Sequence, residues 1–187
     1  MNLFLEALNH PADAFQSGKK AASWTIVGIT ILLNSVFEPI LQHFYGASSP
    51  VIDAIKMLKI TALGILSYVV ICLVFWLICK SFGSKTAFRK HLSAWGVTYF
   101  PTALCSVVVA ITEVLFYVFW NSTVWGMLLN FVFIGILIWK VILYFVYLKE
   151  FAGLRGGRFI GASVLMGVVI LLMAAVSGYL GIKTPII

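Results

Sequence analysis

Glu38, Glu113 and Lys140 are ionisable side chains set within long apolar stretches of this 187-residue chain. An ionised group at the centre of a membrane helix costs about 2.5–3.5 kcal/mol on insertion scales. Such groups normally face a bundle interior or a wetted cavity, where they bind protons, pair with one another or line a polar path. Glu38 and Glu113 fall in the outer parts of their helices. Lys140 lies deeper, and its long stem can carry the ammonium part of the way to the interface.

Helical spacing links two of these groups to other polar side chains. Ser23, Thr30, Asn34, Glu38 and Tyr45 recur at intervals of three, four and seven, with Gln42 at the edge of the stripe. Thr102, Ser106, Glu113 and Tyr117 repeat the pattern further along. Positions so spaced share one helix face. Lipid offers them no hydrogen bonds, so the two stripes are expected to face each other or a common cavity. Glu38, Asn34, Glu113, Ser106 and Lys140 are therefore the candidate intramembrane polar site. Its two readings are interhelical contact, worth about 0.6 kcal/mol per hydrogen bond, and a polar or proton-binding path.

No spacing for a metal cluster, a phosphate loop, a zincin helix or a nucleophile elbow occurs. Cys72, Cys79 and Cys105 lie within apolar runs without ligand spacing and read as buried free thiols. His10, His43 and His91 are scattered at membrane boundaries and read as ordinary interface polarity. No cofactor, no metal and no enzymatic activity are expected. The net charge of +7 does not suggest nucleic acid. The basic residues occupy short segments at helix ends, which suits an orientation signal and anionic headgroups.

The elements that must position these residues are membrane helices. Composition is 62% hydrophobic and 10% charged, against about 25% charged in a soluble domain. Charge-free windows run Ala21–Phe37, Ile60–Cys79, Leu92–Thr112, Val114–Trp139 and Phe159–Ile182. A helix crosses a bilayer core in roughly 20 residues. The expected fold is all-α, a polytopic bundle of five transmembrane helices. Span 1 is expected at Ala22–Tyr45, span 2 at Lys59–Phe82, span 3 at His91–Phe119, span 4 at Val124–Leu148 and span 5 at Arg158–Gly181. Spans 3 and 4 are divided at Asn121-Ser122-Thr123, because an unbroken helix over that stretch would be about 85 Å long. That tripeptide matches a glycosylation sequon but lies too close to the membrane to serve as an acceptor.

Span 1 begins too far from the N-terminus, and is too long, for a signal h-region, so it is read as a retained helix. Before it, residues 1–20 form a cytoplasmic interfacial segment. Pro11 is placed to start a short helix, with Asn9 or His10 capping it. Phe15 lies on that helix, which is expected to rest on the leaflet. Residues 21–187 form the transmembrane domain.

Lys19, Lys20, Lys80, Lys85, Arg89, Lys90, Lys149, Arg155 and Arg158 fall on one side of this arrangement; Lys56, Lys59 and Lys183 fall on the other. The bias puts the N-terminus in the cytoplasm and the C-terminus outside. Trp24 and Trp95 are expected in the inner aromatic belt, Trp120 and Trp125 in the outer.

Span 5 carries a face of small residues, Ser163, Gly167, Ala174, Gly178 and Gly181, with Gly157 and Gly161 at GxxxG spacing near its start. Small residues let helix backbones approach closely, so this face is expected to pack inside the bundle, or against a second copy. Pro39 and Pro101 are expected to disturb spans 1 and 3.

Leu8-Asn9-His10-Pro11 followed by Phe15, then five apolar spans, resembles the Yip1 domain family. Gly83, Ser84 and Lys85 leading to Phe88, Arg89 and Pro101 are similar to that family's glycine–basic–Phe run before a proline in the third span. The resemblance implies a membrane protein without catalytic residues. Its eukaryotic members are linked to Golgi and endoplasmic-reticulum trafficking through small GTPases and carry a long cytoplasmic N-terminal region. The short segment here departs from that and is closer to the short bacterial members. The expected role is a non-enzymatic organiser of membrane or partner proteins, in a bacterial inner membrane. Its expected partners are the bilayer and anionic headgroups, with a homo-oligomer or another membrane protein left open. A small channel or transporter between spans 1 and 3 is the alternative.

Overall fold

The computed structural model describes residues 3–16, 20–45, 53–114 and 122–179. Helices form five segments long and apolar enough to span a membrane, and no strand occurs among the described residues. Two short helices, α1 (Leu3–Asn9) and α2 (Pro11–Gln16), precede them. Pro11 opens α2, as its fixed φ favours.

Span 1 is not a uniform α-helix. An α-helix over Lys20–Leu32 passes into a π-turn over Leu33–Phe37, and the α-helix resumes at Glu38–Tyr45. Pro39 supplies no N–H, and its ring would strike the carbonyl of Ser35 in a regular helix. The wider π-turn immediately before it relieves that conflict. Span 3 solves the same problem in the other direction. Its helix over Phe88–Ala94 tightens into a 3-10 turn at Trp95–Thr98, just ahead of Pro101, and continues as α over Tyr99–Val114.

Span 2 covers Ala54–Ser81. It starts earlier than expected because the Asp53 carboxylate caps it, accepting from the N–H groups of Ile55 and Lys56. At its other end Gly83 N–H donates to Lys80 O and Ser84 N–H to Cys79 O, a Schellman closure. Gly83 has φ +93° there, a left-handed conformation that a Cβ would strain. Span 4 runs Thr123–Val146 and ends in a second π-turn, Tyr147–Phe151; span 5 is Gly157–Tyr179. Span 4 begins after Ser122, where the hairpin was expected, without a side-chain capping bond, while Asn121 and Trp120 lie outside the described residues.

The core sits at one end of the bundle. Trp95, Phe75, Tyr68, Tyr147, Leu143 and Leu148 are fully buried there. The Trp95 ring stacks on Tyr144 at 5.1 Å and meets Phe75 and Tyr147 edge-on. Trp95 therefore belongs to the core and not to the aromatic belt, because the 3-10 turn carries it inward among other rings. Trp24 and Trp125 remain exposed, as belt residues are.

The N-terminal segment also departs from expectation. It packs against the bundle. Ala7, Ala14 and Phe15 are buried, Phe4 packs edge-on to Phe100 and Trp139, and Phe15 packs on Tyr147. Trp139 Nε1–H donates to Ala7 O at 3.3 Å. Aromatic side chains on spans 3 and 4 thus give α1 and α2 a protein surface to bury against.

Candidate functional site

Spans 1 and 3 face each other, as their polar stripes require. Gly96 makes this possible: a Cβ built there would lie 2.7 Å from the backbone oxygen of Ser23. On that interface Asn34 Nδ2 donates to Ser106 Oγ at 3.0 Å and to Thr30 O at 2.8 Å. Ser23 and Thr30 are buried beside it. The structure thus joins Asn34 and Ser106 directly. Glu38 and Glu113 ride on the described helices, but their side chains lie outside the described residues, as does Tyr117.

Lys140 is placed differently. Its side chain does not snorkel; it is 6% exposed, and Nζ donates to Thr102 Oγ1. The ammonium also lies 6.0 Å from the Tyr144 ring, at the limit of a cation–π contact. Beside it a cavity of about 350 Å³ opens between spans 3 and 4, lined mainly by Pro101, Cys105, Val109, Phe133 and Ile136. Lys140 therefore cross-links spans 3 and 4, while Asn34 cross-links spans 1 and 3. A third link, Thr61 Oγ1–H to Ser35 Oγ at 2.9 Å, joins span 2 to span 1 inside the π-turn. Each of the three links has a protein partner at hydrogen-bond distance.

His91 is the residue whose importance the sequence concealed. It is not interface polarity, because it is fully buried. Its Nδ1 is hydrogen-bonded to the Tyr147 hydroxyl on span 4, and its Nε2 to Thr86 Oγ1 at 2.9 Å. A neutral imidazole satisfies both, donating from one ring nitrogen and accepting at the other. Thr86 is also bonded through Oγ1 to Ser84 Oγ, and its carbonyl accepts from Trp76 Nε1–H at 3.1 Å. The Tyr147 ring in turn carries Phe15 of α2, Phe151 and Trp95. One imidazole thereby ties the 2–3 loop, the end of span 4 and the N-terminal helices together. Position alone gave no sign of this, since Tyr147 is distant in sequence. The nearer signal was Thr86 beside His91 at the start of a span.

Among the described residues, the small-residue face of span 5 makes no close backbone approach at Gly167. Nothing lies within 4 Å of a Cβ at Gly167, and Ser163 bonds only to its own helix, at Phe159 O. Ala174 is half-buried. The surroundings of Gly178, and Gly181 altogether, lie outside the described residues. Span 5 packs instead through Ala162 and Met166, flanked by Val169, Ile170 and Met173. Gly161 makes the one tight approach found on this helix among the described residues, with a Cβ there lying 2.6 Å from the Phe82 ring. Packing through the small face, inside the bundle or against a second copy, was the expectation; among the described residues the contacts of span 5 with the bundle run through Gly161, Ala162 and Met166 instead. The three cysteines are free thiols, as expected.

Leu8-Asn9-His10-Pro11 forms the α1–α2 turn, and Gly83-Ser84-Lys85 forms the loop tied to His91. A family model of the Yip1 domain matches residues 5–177. The chain belongs to the Yip1 domain family. The match covers both motifs and reaches from α1 into the last turns of span 5. No curated protein and no solved structure matches the chain. Yip1 membership, five apolar helices and multi-pass integration are therefore established together, and the family is not known for enzymatic activity.

Proposed function

We propose that this Yip1-family protein is a non-enzymatic organiser of membrane or partner proteins, working from its cytoplasmic end in a trafficking-like or scaffold role. The supporting observation is the His91 hub. It joins the 2–3 loop to the end of span 4, from which the 4–5 loop leads, and Tyr147 adds α2. The result is one continuous surface rather than three independent segments. Lys80, Lys85, Arg89, Lys90, Lys149, Arg155 and Arg158 are exposed on it. Anionic headgroups attract such residues by about 1 kcal/mol each near the surface. The charge bias orients this surface to the cytoplasm of a bacterial-type inner membrane, with the C-terminus outside. A second copy or another membrane protein is the partner class that such a platform suits.

Reconstituted protein tests the reading. Vesicles carrying it are expected to recruit anionic liposomes, and Lys85→Glu with Arg89→Glu and Lys90→Glu is expected to abolish recruitment while the protein stays folded. A reporter fused after Ile187 is expected to be active only outside the cytoplasm. Saturable ion or proton flux lost on Asn34→Ala or Lys140→Met would overturn the organiser reading in favour of transport.

A further inference from the structure

A second cavity, of about 420 Å³, opens where the α1–α2 turn meets the end of span 4. Its polar wall carries His10, Asp13, Lys149 and Glu150. Its apolar wall is Phe145, Val146 and Phe159, with the Phe145 and Phe159 rings 5.9 Å apart. From there exposed apolar side chains continue toward the bilayer interior on the same face of span 4 as Phe145, namely Val141 and Ile142. The cavity therefore has a charged mouth at headgroup height and an apolar track for a chain below it. Either orientation of the bundle gives this end a headgroup layer to meet, so the inference does not rest on the proposed function.

The charges select the ligand. The chain has six acidic residues against thirteen basic ones, and two of the six, Asp13 and Glu150, meet in this cavity. Lys149 stands beside them, 3.9 Å from Glu150, a separation too long for a strong hydrogen-bonded pair. A purely anionic headgroup would gain one ammonium and face two carboxylates. A headgroup with both a phosphate and an ammonium gains on both counts. The Asp13 and Glu150 carboxylates are acceptors, and a primary ammonium brings three N–H donors to meet them. A quaternary ammonium brings none.

We infer that the cavity between the α1–α2 turn and the end of span 4 binds a zwitterionic phospholipid with a primary-amine headgroup. The phosphate sits on Lys149, the ammonium lies between Asp13 and Glu150, and an acyl chain follows Phe145 and Phe159.

Delipidated full-length protein in detergent is titrated with phospholipids of identical chains carrying ethanolamine, choline or glycerol headgroups. Bound lipid is read by native mass spectrometry and by thermal stabilisation. The ethanolamine lipid is expected to bind as one copy per chain, on the order of tenfold more tightly than the other two. Asp13→Asn with Glu150→Gln is expected to erase that preference. Lys149→Gln is expected to weaken all three lipids, and Lys56→Gln, at the opposite end of span 2 from this cavity, to change nothing. The acidic side chains are exposed and the amides isosteric; an unchanged melting point without lipid checks that the fold is kept, and Asp13→Asn alone serves as the second variant. Equal affinity for the three lipids, a preference for the glycerol headgroup, or an ethanolamine preference that survives the amide variants would overturn the assignment.

Discussion

Span 3 and span 5 look alike as sequence and behave oppositely in the fold. Span 5 is the more apolar of the two, yet only 11% of its apolar 18-residue stretch is buried in the bundle, against 61% for the corresponding stretch of span 3. In water that order would be reversed. Lipid tails are as apolar as leucine, so hydrophobicity gives a helix no reason to prefer the protein interior. Span 3 is central because it carries Gly96, Thr102, Ser106 and His91, which allow close approach or demand hydrogen bonds. Span 5 has small residues as well, but among the described residues it makes no side-chain hydrogen bond to another span, and it stays at the edge. Polar groups that need partners, rather than apolarity or small size alone, set depth in the bundle.

Substitutions along the two spans can break that contrast. The largest effect is expected at Gly96. The atom that a Cβ would meet is backbone, so it cannot rotate away. Gly96→Leu is expected to prevent folding, and Gly96→Ala to cost about 1–3 kcal/mol, measured by unfolding in detergent. If Gly96→Ala is neutral, spans 1 and 3 do not cross there.

His91→Phe and Tyr147→Phe come next, each expected to cost about 1–3 kcal/mol because each leaves a buried partner unsatisfied. The double variant is expected to cost less than the sum, since both remove one shared bond. Full additivity in that cycle would argue that the two side chains act separately.

Ser106→Ala removes one link between spans 1 and 3 and is expected to cost about 0.6 kcal/mol. The smallest effects belong to span 5. Gly167→Leu and Leu172→Ala are each expected to stay within about 0.5 kcal/mol, as for surface positions. A destabilised Gly167→Leu would mean that this face has a neighbour, and loss of a crosslinked dimer alone would identify a second copy as that neighbour.

What could be read from residues alone follows from the range of each signal. Span number came from runs of about 20 apolar residues, which a bilayer demands locally. The facing of spans 1 and 3 came from Asn34 and Ser106, because a polar stripe in lipid must find a polar partner. Both are short-range inferences. Thr102 as the partner of Lys140 was not legible, since many polar groups lie within a lysine's reach. His91 was misjudged for the same reason: its partner Tyr147 is set by how spans 3 and 4 pack. The start of α2 at Pro11 was legible, but the helix over Leu3–Asn9 was not, and Phe15 gave no sign of its burial because it has equal use for a headgroup layer and an aromatic core. For the small face of span 5, Gly167 has no close neighbour among the described residues, and packing against a second copy is the other half of that expectation.

The crossing of Ser23 by Gly96 also has a meaning in time. Translation adds roughly 5–20 residues per second, so about 70 residues separate the two partners by several seconds. Span 1 waits through that interval with its polar stripe already made and Ser106 not yet synthesised. Two of its side chains meet the delay from within their own helix. Thr30 Oγ1–H donates to Ile26 O at 2.7 Å, and Asn34 Nδ2 to Thr30 O. Neither bond needs another span. The stripe is therefore partly self-sheltered from the start, and the later arrival of span 3 adds a partner to Asn34 without having to rescue it.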